Sequence, residues 1–416
     1  LINAVNIALI VLGCVALIPV AVLFIECVAA LFAGQPSATP SSSRPARVAV
    51  LISAHNEELL IQSTIDSLLP QLLPNDEILI VADNCTDNTA ALARAAGATV
   101  TVRNNPELRG KGYGLSHGLE VLRTNPPDVV IFFDADCTVE SDVVERLAAE
   151  AWEAQRPVQA RYLLASPRSA GARGTISTLA FIVKNAVRPA GLAALGFPCA
   201  LTGTGMAFPW RLIENAPVAS GHIVEDMELG LHLMRQGAGP MLCTAVTING
   251  AMPGDCRFAY QQRTRWEHGH LTIICTRAIP LLLEGIVRLR PSMIATALDL
   301  MVPPLALLTM VWTVGAAAAV TLGVLTHLWF SSILFAASGS LFAISIAAAR
   351  HRHAQHVPMK SLLAVPAYIA WKIPLYLGFV FKRQTNWVRT NRGPESIPAA
   401  EHLPTTAHTT EGAPTL

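Results

Sequence analysis

Asp134-Ala-Asp136 sets two carboxylates either side of a small residue, directly after the apolar run Val129–Phe133. Paired hard oxygen ligands suit Mg2+ or Mn2+ held together with phosphate oxygens; a solvated turn with a helix-capping aspartate has the same composition. Asp83 closes another apolar run and is placed to meet a base or a ribose, while Asp87 suits the cap of the following helix. Glu225-Asp226 opens an amphipathic stretch (Met227, Leu229, Leu231, Leu233, Met234). Acidic residues are favourable at a helix start in any case, but a reaction that activates a hydroxyl needs one carboxylate as proton acceptor, and Asp226 is our candidate, with Glu225 beside it.

Gln262, Arg265 and Trp266 fall on one face at helical spacing. Arginine pairs bidentately with a diphosphate and tryptophan offers a flat face to a sugar ring, although a basic–aromatic belt at a bilayer surface reads similarly. Arg109-Gly-Lys111-Gly112-Tyr-Gly114 resembles a phosphate loop without its spacing, which leaves Lys111 as a candidate neighbour of a nucleotide. Thr204 and Gly205, within Thr202–Met206, suit either a close backbone approach to substrate or a packing turn.

These residues need elements to position them. Arg47–Ser53, Glu77–Ala82, Thr99–Val102 and Val129–Phe133 are apolar runs of strand length, alternating with helical patterns after His55-Asn56-Glu57-Glu58, after Asp87 and over Gly110–Arg123. Such alternation predicts an α/β domain with a mostly parallel, Rossmann-like sheet. Ligands bind beyond the carboxyl ends of its strands, so His55, Asn56, Glu57, Asp83, Asp134 and Asp136 are expected to converge.

The chain has 416 residues, 52% hydrophobic and 14% charged, with a mean hydropathy of +0.44. Soluble domains carry roughly 25% charged residues, so much of this protein is expected to lie in lipid. A net charge of +1 without a basic stripe gives no nucleic-acid surface. Eight cysteines without Cys-x-x-Cys spacing fit neither a zinc site nor a dithiol motif, and suit a reduced compartment.

Residues 1–33 are expected to form a retained transmembrane anchor, 34–45 a linker, 46–270 the α/β domain and 271–295 an interfacial helix region. Residues 296–381 form a C-terminal membrane region with spans at 296–324 and 328–349, and 382–416 a basic, then disordered, tail. The segment 361–381 carries Lys372, Pro366 and Pro374 and is read as re-entrant or interfacial rather than spanning; Lys372 would then meet a diphosphate or glycolipid headgroup. Arg44, Arg47, Arg350 and Arg352 place the α/β domain on the cytoplasmic side of a plasma (inner) membrane.

Taken in order, Asp83, Asp134-Ala-Asp136, Glu225-Asp226 and Gln262-Arg-Thr-Arg265-Trp266 resemble the membrane-bound family 2 glycosyltransferases of the cellulose, chitin and hyaluronan synthase type, across residues 46–270. That resemblance implies a GT-A fold, a nucleotide-sugar donor, commonly a UDP-sugar, a divalent metal and inversion at the anomeric carbon. By position it implies Asp83 at uracil or ribose, Asp134 at the donor and Asp136 at the metal. It also implies Asp226 as base and Gln262, Arg265 and Trp266 at acceptor and pyrophosphate. Val224 stands where the synthases commonly have threonine, and three or four spans are few for a polysaccharide channel. One-sugar transfer to a membrane lipid or lipid-linked glycan is therefore expected ahead of processive synthesis, unless an oligomer or export partner completes the channel. A catalytically silent membrane scaffold is the remaining alternative.

Overall fold

Strands that are apolar along their whole length need cover on both faces, and Val48–Ala54 has it. In the computed structural model, which describes residues 2–34, 44–165, 171–251, 256–355 and 357–384, Val48, Val50 and Ile52 pack with Ile61, Ile65 and Leu68 of the helix Ile61–Leu68. Ala49 and Leu51, on the opposite face, pack with Leu115, Leu119 and Leu122 of the helix Lys111–Leu122. Each such aliphatic side chain contributes roughly 1.5–3 kcal/mol by burial. A one-residue slip would exchange the two faces, so the pattern fixes the register.

Eight strands form one sheet: β1 (Val48–Ala54), β2 (Glu77–Asp83), β3 (Thr99–Arg103), β4 (Val129–Asp134), β5 (Cys137–Val139), β6 (Val158–Ala165), β7 (Met206–Pro209) and β8 (Met241–Ala251). Their order is β3-β2-β1-β4-β7-β6-β8-β5. The first four are parallel, as is β6 with β8, whereas β7 runs antiparallel to both β4 and β6, and β5 antiparallel to β8. The four parallel strands match the runs anticipated from sequence to within a residue or two. Their register sets Ser53 beside Asp134 and Asp83 beside Arg103, so the polar strand ends meet along one edge of the sheet.

Among the described residues, five helices are long and apolar enough to cross a membrane: Ile2–Phe32, Arg257–Val287, Leu305–Thr326, Phe330–His353 and Met359–Phe381. Two boundaries differ from the sequence reading. The span expected at 296–324 starts at Leu305, because Pro303-Pro304 separates it from a short helix, Pro291–Leu300. Residues 271–287, expected within an interfacial region, continue the helix that carries Gln262, Arg265 and Trp266 through a π-helical turn, Ile274–Ala278. The segment at 361–381 includes one helix, Val365–Phe381, with Pro374 inside it. Most of the anticipated linker and nearly all of the tail lie outside the described residues.

The N-terminal helix Ile2–Ala29 is locked to the rest of the protein by a buried charge cluster. Arg188 donates to Glu26 at 2.7 Å and to the carboxylate and backbone carbonyl of Asp299 at 2.5 Å, and all three residues are buried. Gly191, one turn on, lets the helices touch: a Cβ there would lie 2.0 Å from the Glu26 carbonyl oxygen. Replacing one partner strands the others in a low dielectric. Arg188→Leu is therefore expected to cost about 3–5 kcal/mol, read as a lowered unfolding midpoint in detergent relative to wild type.

Candidate active site

The polar strand ends open into a cavity of about 620 Å³. Ser53, His55 and Glu57 reach it from β1 and the following turn, Asp83 from β2, and Asp134 and Asp136 from β4 and the turn after it. The first turn of the helix Glu225–Arg235 adds Glu225 and Asp226, and the helix Cys256–Ile273 adds Gln262, Arg265 and Trp266. Residues more than two hundred positions apart in sequence thus share one space.

Asp83 is held by Arg103 at 2.6 Å and by the Asn84 side-chain amide at 2.9 Å. Burial raises its pKa while Arg103 opposes the rise. His55 donates through Nδ1 to the Asp83 carbonyl at 2.7 Å, which fixes the turn. Asn56 adopts φ 57° and ties that turn to Thr86 through its amide. Glu57 lines the cavity, whereas Asn56 does not. Asp87 accepts the Thr89 N–H at 3.0 Å beside the next helix, the capping role expected of it.

The glycines of the Arg109–Gly114 loop serve close packing. A Cβ on Gly112 would stand 2.4 Å from the Val218 carbonyl oxygen, and one on Gly114 2.1 Å from the Ser53 hydroxyl. This brings Lys111 to the cavity floor, where its ammonium donates to Asp134 and to the Gly203 carbonyl. Burial pulls the Lys111 pKa down, but Asp134, Glu225 and Asp226 together outweigh it and the net shift is upward. The lysine stays charged.

Asp134, Asp136 and Cys137 have ligand atoms within 4.8 Å of one another. Burial pushes the Cys137 thiol to about 12, and its S–H points to Asp136 at 3.6 Å. The usable donors are then two half-buried carboxylates, a hard oxygen set that fits Mg2+ or Mn2+ shared with phosphate oxygens. Thr204 and Gly205 do not line the cavity. The Thr204 hydroxyl instead accepts the Asp134 N–H at 3.1 Å, and a Cβ on Gly205 would meet Ile248 at 1.9 Å. Thr202 and Gly203 form the wall. Buried Gln159, which the sequence reading missed, pins this segment by accepting the Thr202 N–H and donating to the Thr204 carbonyl, each at 2.8 Å.

Two adjacent carboxylates in one desolvated place resist double ionisation. Burial, with Asp226 next to it, pushes Glu225 up to about 7, and burial moves Asp226 in the same direction. Trp266 meets Phe181 at a tilt of 45° with ring centres 6.0 Å apart, and Phe181 meets Tyr162 edge-on at 5.5 Å. The Gln262 amide oxygen is buried without a hydrogen-bond partner. Lys372 departs from its expected place at a headgroup. It is fully buried, paired with Glu267 and set 5.5–5.6 Å from the Trp371 and Tyr368 ring centres, so it joins the C-terminal helix to the helix of Gln262 and Arg265.

A mostly parallel sheet with carboxylates at its strand ends, covered by a cationic and aromatic helix, defines a GT-A glycosyltransferase. Residues 45–269 match the family model described as "Glycosyltransferase like family 2", and the chain belongs to that family. It is 39% identical over 103 residues to the 4,4'-diaponeurosporenoate glycosyltransferase of Staphylococcus aureus, which is 24% of this chain and 26% of that protein. The match thus spans about a quarter of the length of these curated relatives. Among solved structures, the mannosyltransferase PcManGT of Pyrobaculum calidifontis, in complex with GDP-Man and Mn2+, aligns with a TM-score of 0.53 at 17% identity, covering 92% of this chain and 100% of that one. This likeness shows the fold.

The Glu225 shift has a consequence for stability. Its native pKa of about 7 exceeds the ordinary 4.5, so the folded state holds a proton there that the unfolded state has released. Stability is expected to fall as pH rises from 4.5 to about 7. Denaturation followed across that range should show a flatter profile, and greater stability at the alkaline end, for Glu225→Gln.

Proposed function

We propose that the protein transfers a single sugar from a nucleotide sugar, with inversion, to a lipid or lipid-linked glycan in the membrane, in glycolipid or exopolysaccharide biosynthesis. The observation that carries this reading is the continuity of the cavity. It runs from Asp83, Asp134 and Asp226 to Leu305 and Tyr368 of two candidate membrane helices, and to Leu300 and Pro303 just before the first of these. A donor end and an apolar end meet at one carboxylate pair.

In this reading Asp83 and Lys111 hold the nucleotide and diphosphate side of the donor, with His55 and Glu57 beside them. Asp134 and Asp136 would hold Mg2+ or Mn2+, which when bound offsets charge on the diphosphate. The acceptor oxygen bonds to the anomeric carbon as the bond from that carbon to the diphosphate oxygen breaks, and the electron pair leaves with the nucleotide diphosphate. Asp226 takes the acceptor's proton, with Glu225 beside it. Arg265 adds electrostatic stabilisation as the diphosphate departs, while Trp266 and Gln262 border the acceptor sugar or hydroxyl.

The relative named for 4,4'-diaponeurosporenoate supports an acceptor of lipid character, and the GDP-Man complex supports a nucleotide-sugar donor. Arg44, Arg47, Arg350 and Arg352 support a cytoplasmic catalytic domain at the plasma (inner) membrane. The test uses purified full chain in nanodiscs with UDP- and GDP-sugars, Mg2+ or Mn2+ and total membrane lipid. Nucleotide diphosphate release and product mass are followed. One added sugar on an extractable lipid is the expected product. Asp226→Asn should lower transfer by about 10²–10⁴-fold with donor binding retained, and Asp136→Asn should weaken metal-dependent donor binding. A high-mass ladder would identify a processive synthase. No Asp226-dependent release from any donor would favour a silent scaffold.

A further inference from the structure

The helix Gly171–Ile182 passes into the helix Arg188–Ala194 through a π-helical turn, Val183–Val187. Such turns widen a helix by one residue and recur at functional sites. Here the turn places Lys184 on the cavity wall. Lys184 is half-buried and makes no hydrogen bond or ion pair among the described residues. It stands in the field of Asp226, of the Arg188 guanidinium, and of Glu267 and Asp299.

The other cations of the cavity wall are engaged. Lys111 holds Asp134 and the Gly203 carbonyl, Arg188 holds Glu26 and Asp299, and Arg109 donates to the Pro106 carbonyl. Arg263 lies against the Trp371 ring, and Arg265 is also partnered. Burial lowers the Lys184 pKa, and the nearby carboxylates only partly oppose it. A desolvated ammonium without a partner is costly, and an anion entering the cavity relieves that cost.

A second observation points to a ligand in the same cavity. The Gln262 amide oxygen and the Thr202 hydroxyl are both buried without a hydrogen-bond partner among the described residues, and both residues line the cavity. Orphaned buried polar atoms are uncommon in folded proteins. Beyond Lys184 the lining turns apolar, through Leu192, Leu300, Pro303, Leu305 and Ala306.

We propose that Lys184 is a positioning residue for the acceptor, which is an amphiphile carrying an acidic group, a carboxylate or a phosphate. The Lys184 ammonium holds that group, and the apolar chain lies along the Leu192, Leu300 and Leu305 side of the cavity. This rests on the reading of the cavity as the site of transfer to a lipid, and it narrows the acceptor from any lipid to an acidic one. Lys184 thus sets selectivity, and the donor is bound without it.

The test measures binding of radiolabelled stearate, hexadecyl phosphate and hexadecanol to the full chain in dodecyl maltoside, without donor. Wild type is expected to bind at least one acid about tenfold more tightly than the alcohol, as for a hydrogen bond to a charged group. Lys184→Met should remove the preference and Lys184→Arg should keep it, with nucleotide-sugar binding unchanged in both. The acid with the larger loss names the headgroup. Inorganic phosphate that displaces hexadecyl phosphate at equal concentration would mark a free-anion site and overturn the proposal. So would a wild type without preference for either acid, or a Lys184→Met variant that retains it. Thermal unfolding is followed for each variant, and Lys184→Gln carries the same comparison should the methionine variant fail to fold. Loss of donor binding in wild type would strike the transferase reading instead, which these lipid measurements do not involve.

Discussion

Asp134, Glu225 and Asp226 share one cleft with the Lys111 ammonium, which pairs with Asp134 and is held in its charged form by all three carboxylates. Its position depends on small residues. Gly112 and Gly114 bring the start of the helix Lys111–Leu122 against the Val218–Ser220 segment and Ser53, with no room for a side chain. From there the ammonium joins β4 to the Gly203 loop, and Gln159 holds the other side of that loop. Asp134, the carboxylate pair and the loop are therefore one electrostatic unit, although their residues come from opposite ends of the domain.

The unit is also tied to the membrane helices by ion pairs buried in protein. Arg188 joins the N-terminal helix to the short helix before Pro303-Pro304, and Lys372 joins the C-terminal helix to the one bearing Arg265. Buried pairs contribute modest net stability but hold a geometry in place, because breaking either partner leaves the other uncompensated. Arg188, Asp299 and Glu267, members of these pairs, also line the cavity.

The parallel half of the sheet was legible in the sequence because β1, β2 and β4 are buried on both faces and read as unbroken apolar runs. The strand-end carboxylates followed from that arrangement alone. The other half was not: β7 has four residues, and the pairing of β6 with β8 depends on contacts across about eighty positions. Thr204 looked like a site residue because its partner, the Asp134 N–H, is a backbone group invisible to pattern. Lys372 looked available because Glu267 lies 105 positions away. Two signals were present and passed over. Pro303-Pro304 announces the break before Leu305, and Lys184 is a lone charge in the otherwise apolar run from Leu179 to Val183 and on to Ala186 and Val187.

The helix that begins at Cys256 carries Gln262, Arg265 and Trp266 and continues, through the π-helical turn at Ile274–Ala278, to Val287. At 1.5 Å per residue, Arg265 lies roughly 30 Å from its far end. A rod of that length is bound to the helix Glu225–Arg235 by the Arg277–Glu228 and Glu284–Arg235 ion pairs, so one frame carries the Glu225-Asp226 carboxylates and the Arg265 guanidinium.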